Sequence, residues 1–97
     1  MRFEILLAPE AIGDFGALDA VQRSVVCKAI GLHLRHEPTK VSKSRSKRLR
    51  GIARPQFRLR IDAIRVLYDV VGGEMHVLAI VPKPDAARWL EQFEEAR

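Results

Sequence analysis

Arg58 and Arg60 are separated by one residue in the run Phe57-Arg-Leu-Arg-Ile61, and that spacing carries chemical meaning. On an extended strand, residues two apart point to the same side, so both guanidiniums would project from one face. Each is planar, stays charged and offers paired donors that match two oxygens of a phosphate. The two therefore read as half of a phosphate clamp. Lys40 to Arg65 holds ten basic residues and one acid, a charge of +9, while the other 71 residues carry −4. The chain's net +5 and its pI near 10.0 come from this one band. A concentrated cationic surface on a slightly acidic body suits capture of a polyanion.

Groups for proton transfer are sparse. A base working near neutral pH is most readily a histidine. His33 and His36 fall near the end of a predicted long helix, and His76 lies on a predicted strand in register with Leu78 and Ile80, all boundary positions. Tyr68 alternates with Val66 and Val70 and reads as a core aromatic. Cys27, the single cysteine, lies at the edge of an apolar helical stripe and reads as structural. One cysteine excludes an intrachain disulfide, and no Cys/His set has zinc-binding spacing, so neither metal nor cofactor is expected and a reducing cytoplasm is the default. No phosphate-cradling glycine loop and no Ser/His/Asp motif is present.

The elements that must position the arginines follow from periodicity. The length, 97 residues, corresponds to one domain spanning residues 1–97. Phe3–Ala8 is a short apolar strand. Its four-residue apolar run is flanked by Glu4 and Glu10, which excludes a signal peptide or membrane span. Asp19 with Gln22 is a capping pair for a helix to Glu37, whose apolar stripe comprises Leu18, Val21, Val25, Val26, Ala29, Ile30, Leu32 and Leu34. Pro38 stops it. Thr39–Arg50 alternates serines with cations and reads as a basic linker. Phe57–Ile61, Ile64–Val71 and Met75–Val81 form a three-strand antiparallel meander, with Gly72-Gly73 as the hairpin turn. Pro84 and Asp85 open a C-terminal helix to Arg97 with Ala86, Ala87, Trp89, Leu90 and Phe93 on one face. Trp89 and Phe93, four apart, would pin it to the sheet. The expected class is α+β, helices packed on a small antiparallel sheet.

Arg48-Leu-Arg-Gly51 followed by Phe57-Arg-Leu-Arg-Ile-Asp-Ala-Ile-Arg-Val-Leu-Tyr68, a hairpin and another apolar strand resembles the RelE/ParE superfamily of type II toxin–antitoxin toxins. Element order and size agree along nearly the whole chain. The resemblance implies a RelE-like microbial ribonuclease fold, an antitoxin partner that wraps around the toxin, and a cytoplasmic location. In the RelE branch it further implies an mRNA-cleaving endoribonuclease, an mRNA interferase that acts on ribosome-bound mRNA and inhibits translation. In the ParE branch it implies a non-enzymatic inhibitor of DNA gyrase.

On the RelE reading, Arg58 and Arg60 match the basic residues of the cleavage-site strand and Arg65 matches an arginine on the next. Lys83 stands in the segment after the last strand. That segment runs Val81-Pro-Lys-Pro-Asp-Ala-Ala-Arg-Trp89, with the branch's arginine and tyrosine out of register, so the gyrase reading stays open. Arg58, Arg60, Arg65 and Lys83 are the candidate catalytic residues. Lys43, Arg45, Lys47, Arg48, Arg50 and Arg54 are the candidate nucleic-acid-binding residues. Composition alone would also allow a basic nucleic-acid-binding module without toxicity.

Overall fold

The computed structural model describes residues 2–40, 46–49 and 54–92. The alternation Phe57-Arg-Leu-Arg-Ile61 forms the strand it predicts, and four more strands join it in one sheet. In chain order the elements are β1 (Glu4–Leu7), α1 (Pro9–Ala17), α2 (Ala20–His33), β2 (Ser46–Arg48), β3 (Phe57–Ile61), β4 (Ile64–Val71), β5 (Glu74–Pro82) and α3 (Lys83–Glu91). The sheet order is β1-β5-β4-β3-β2, with β1 parallel to β5 and the other pairs antiparallel. The meander β3–β4–β5 is thus its centre. The expected α+β class holds, and the sheet is mixed because β1 lies parallel to β5, with α1 and α2 carrying the chain from the β1 edge to the β2 edge.

Local chemistry accounts for the joints. Ile61 pairs with Ile64, leaving Asp62-Ala63 as the turn, and Asp62 takes φ 50, a left-handed conformation that aspartate tolerates better than most residues. Val71 pairs with Glu74 around Gly72-Gly73, where Gly72 has φ 59. Asp19 and Gln22 form the expected reciprocal capping box at the start of α2. Pro9 opens α1, where its missing N–H costs nothing. Past the end of β1, Asp14 on α1 accepts the amide of Ile80 at 3.0 Å, so a carboxylate satisfies a β5 donor that has no strand beside it.

The two faces of the sheet differ. Phe57, Leu59, Ile61, Ile64, Val66, Tyr68, Met75, Val77 and Ile80 form one core with Ala11 of α1 and Val26, Ile30 and Leu34 from α2 and its C-cap. Tyr68 is fully buried there. Its ring stacks on Phe57 at 5.4 Å and its hydroxyl donates to the Pro38 carbonyl at 2.7 Å, tying the segment after α2 to the sheet. Leu67 and Ala79 are buried on the opposite face, where α3 packs across β4 and β5. Among the described residues, that helix packs on β4 and β5 rather than on β3.

Four expectations need correction. The stripe on α2 is only half core: Val26 and Ile30 are buried, whereas Val21 is 74% and Leu32 78% exposed and Val25 is exposed too. Cys27 is exposed rather than packed in the stripe. The basic linker contains a strand, since Ser46–Arg48 pairs with β3. The C-terminal helix starts at Lys83, and the part of its expected span that includes Phe93 lies outside the described residues.

Candidate nucleic-acid interface

Strand register decides which cations share a face. Directly paired residues on antiparallel strands project to the same side. Lys47 pairs with Arg58, which pairs with Leu67; Arg60 pairs with Arg65, which pairs with Val81. Lys47, Arg58, Arg60 and Arg65 therefore belong to the face that α3 only partly covers. Lys83 adjoins them at the turn end, where its amide donates to the Ala63 carbonyl at 2.7 Å.

The four do not play equal parts. Arg60 and Lys47 are exposed. Arg58 is half-buried, and its Nε is the one buried side-chain nitrogen or oxygen among the described residues without a hydrogen-bond partner. Arg65 is 4% exposed, and its Nη1 donates to the carbonyls of Asp62 at 2.8 Å and Ile64 at 3.0 Å. Arg65, although on this face by register, thus turns its guanidinium into the β3–β4 turn and braces it.

The electrostatics show a positive cluster without internal neutralisation. Burial first, and then the charge of Arg60, lowers the Arg58 guanidinium below its ordinary value. Burial lowers Arg65 in the same direction, with Arg60 and Arg58 adding to it. No ion pair joins Lys47, Arg58 or Arg60 to an acid among the described residues. A dianionic or polyanionic ligand would relieve this repulsion and meet the orphaned Nε–H.

The remaining candidates are dispersed. Arg48 pairs with Phe57 and its guanidinium lies 5.1 Å from that ring's centroid, on the helix-covered side of β3, so it does not join Arg58 and Arg60. Arg54 is anchored elsewhere on the arginine face: its Nε donates to Asp69 Oδ2 at 2.8 Å. Lys43, Arg45 and Arg50 lie outside the described residues.

Asp69 is a buried acid that the sequence reading did not single out. It is 2% exposed, and its second oxygen accepts the Gln56 amide at 2.6 Å, while Gln56 Oε1 accepts the Val70 amide at 3.0 Å. The signal available was one acid inside the apolar run Ile64–Val71. His76 sits opposite Asp69 on β5 and pairs with Glu74 at 2.9 Å. Burial raises Tyr68 well above the ordinary tyrosine range, so it stays protonated and inaccessible as a base. Among the described residues no group of three or more His, Cys, Asp or Glu could hold a metal ion, and no helix is long and apolar enough to cross a membrane.

No protein-family model matches the chain, and no curated protein sequence is significantly similar to it. Solved structures do match. The archaeal RelE–RelB complex from Pyrococcus horikoshii contains a chain 19% identical, with a TM-score of 0.70 over 89% of this chain and 100% of that one. The toxin–antitoxin complex RelBE2 from Mycobacterium tuberculosis gives 20% identity and a TM-score of 0.67 over 84% and 99%. The YoeB dimer from Staphylococcus aureus gives 16% and 0.57 over 81% and 94%. At these identities the likeness establishes the fold, which is that of RelE-type toxins.

Proposed function

We propose that this chain is the toxin of a type II toxin–antitoxin pair and cleaves ribosome-bound mRNA without a metal. The observation that carries the reading is the shared face of β2 and β3 holding Lys47, Arg58 and Arg60, where, among the described residues, Arg58 Nε is buried and unpartnered and no acid pairs with any of the three. In such a reaction the RNA 2′-hydroxyl loses a proton and attacks phosphorus, the 5′ oxygen leaves with a proton, and a 2′,3′-cyclic phosphate and a 5′-hydroxyl result. Negative charge builds on the phosphate during attack. Guanidiniums on the face shared by Arg58 and Arg60 would stabilise that charge. His76 lies opposite Asp69 and is engaged by Glu74. This chain's contribution is therefore charge stabilisation and positioning.

An antitoxin partner fits the opposite side of the molecule. Between α1, α2 and β1 runs an apolar groove of about 410 Å³, lined by residues including Ile12, Phe15, Cys27 and Ile30. Residues 20–36 carry Arg23, Lys28 and Arg35 and no acid. An amphipathic segment with acidic flanks would cover this groove and the exposed Val21 and Leu32.

Expression without antitoxin, followed by mapping of transcript 5′ ends, tests the reading. Growth arrest with new 5′-hydroxyl ends inside codons is expected, and Arg60→Gln should reduce their number. Arrest with intact transcripts and double-strand DNA breaks would transfer the assignment to gyrase inhibition, and no arrest would leave a nucleic-acid-binding module.

A further inference from the structure

Arg54 departs from the usual pairing of an arginine with a carboxylate. A guanidinium carries five N–H donors in a planar fork and commonly meets a carboxylate through two of them, one to each oxygen. Asp69 does not allow this. Its Oδ2 accepts Arg54 Nε at 2.8 Å, but its Oδ1 accepts the Gln56 amide at 2.6 Å, and Gln56 Oε1 in turn accepts the Val70 amide at 3.0 Å. The acid is divided between a side chain and the backbone that enters β3. Its single contact leaves the terminal nitrogens of Arg54 without an acid among the described residues, and Glu10, which borders the same groove, forms no ion pair with it. Exposure is divided in the same way: the Asp69 side chain is 3% exposed and that of Arg54 65%.

Folding explains only half of this arrangement. A buried carboxylate is costly unless it is hydrogen-bonded and paired, so Asp69 requires a cationic donor. One N–H meets that need, and a lysine ammonium would supply it as well. The outer donors of Arg54 add nothing to the fold and are free to meet a second anion.

Register gives the place of that anion. Arg60 stands opposite Arg65 and Arg58 opposite Leu67. Asp69 is the next residue of β4 on the same face, two beyond Leu67 and thus about 7 Å farther along the strand. The anchor of Arg54 therefore continues the row that Arg60 and Arg58 begin. We propose that Asp69 is a positioning residue: it holds Arg54 by one nitrogen and so presents the others as a further phosphate contact for the polyanion on this face. The inference rests on the functional reading for the identity of that polyanion as RNA, and on the divided Asp69 contact for the role of Arg54.

Binding of a labelled single-stranded RNA oligonucleotide by the full-length protein, read by fluorescence anisotropy across a salt series, tests this. Arg54→Gln should bind several-fold more weakly and make the slope of log affinity against log salt shallower by about 0.7, the value of one phosphate contact. Arg54→Lys separates the two uses of the guanidinium. Its single ammonium is taken up by Asp69, so the urea midpoint should stay near wild type while the slope falls as it does in Arg54→Gln. An ion pair that served folding alone would leave Arg54→Lys with wild-type affinity and slope, and that result would overturn the proposal. Asp69→Asn removes a negative charge from the face, which by charge alone tightens RNA binding. Loss of the Arg54 anchor should instead weaken it per folded molecule, with the folded fraction read by circular dichroism. Tighter binding by Asp69→Asn would show that Asp69 positions nothing. The two readings fail separately: wild-type binding by both Arg54 variants removes this contact alone, and weakened binding by both, with transcripts left intact by the wild-type protein, removes the ribonuclease reading alone.

Discussion

Arg60 on β3 and Arg65 on β4 are direct cross-strand partners on one face of the sheet. Two like charges facing each other across a ladder destabilise it by roughly 0.2 to 1 kcal/mol. The pair is tolerable because Arg65 turns its guanidinium into the carbonyls of the β3–β4 turn, while Arg60 stays in solvent. Such a repulsion does nothing for folding and favours an incoming anion. Arg60→Gln should therefore stabilise the free protein by up to about 1 kcal/mol while weakening its binding to single-stranded RNA. Urea denaturation and RNA titration on the same sample read both effects, and a variant that loses stability would show that Arg60 has a structural partner.

Arg65 should behave in the opposite way. Arg65→Ala strips two turn carbonyls of a charged donor and empties a buried position, at a cost of roughly 1 to 3 kcal/mol. Any loss of RNA cleavage should follow the loss of folded protein. Cleavage per folded molecule, with folded fraction read by circular dichroism at 25 °C, is expected to stay within a few-fold of wild type. A loss of several hundredfold at full folding would place Arg65 on the phosphate itself.

Much of the architecture was readable because its determinants are local. The capping box of α2 needs only Asp19 and Gln22, and the hairpin after β4 needs only Gly72-Gly73 between two strand patterns. What escaped depends on pairing between distant segments. Ser46–Arg48 has no apolar periodicity and is a strand solely through its bonds to β3. Register across that pair sends Lys47 to the arginine face and Arg48 over Phe57, a distinction that composition cannot make. On α2 the apolar stripe is wider than the sheet can cover, so periodicity alone could not tell Val26 from Val25. Asp69, one acid within the apolar run Ile64–Val71, anchors Arg54 and Gln56 through contacts that only the fold creates.

The ionic-strength dependence of RNA binding counts the cations engaged. For single strands, log affinity falls against log salt with a slope near −0.7 per neutralised phosphate. If Lys47, Arg58 and Arg60 each meet one phosphate, they together contribute a slope of about −2, and neutralising any one should make the total shallower by about 0.7. Arg48→Gln should leave it unchanged, because that side chain lies over Phe57. Fluorescence anisotropy of a labelled oligonucleotide between 50 and 300 mM salt, on the order of the range where such slopes are measured, provides the test. A slope change for Arg48→Gln equal to that for Arg58→Gln would refute the division into two faces.

Tyr68 links alkaline pH to stability. Burial raises its folded-state pKa above the ordinary value of about 10, whereas the unfolded chain ionises there. A group whose pKa rises on folding gives its full contribution below the unfolded value and loses it as pH climbs beyond. Stability should thus be insensitive to Tyr68 ionisation up to about pH 9 and fall steadily above pH 10, by about 1.4 kcal/mol per pH unit at most from this residue. Tyr68→Phe removes the hydroxyl bonded to the Pro38 carbonyl and should cost roughly 1 kcal/mol at neutral pH. The same variant should lose less stability than wild type between pH 10 and 11, so the two curves converge. Denaturant midpoints across that range reveal the convergence, and parallel curves would mean that Tyr68 ionises as freely in the folded protein as in the unfolded chain. RNA cleavage by folded Tyr68→Phe should match wild type, since a side chain sealed between Phe57 and Pro38 reaches no substrate.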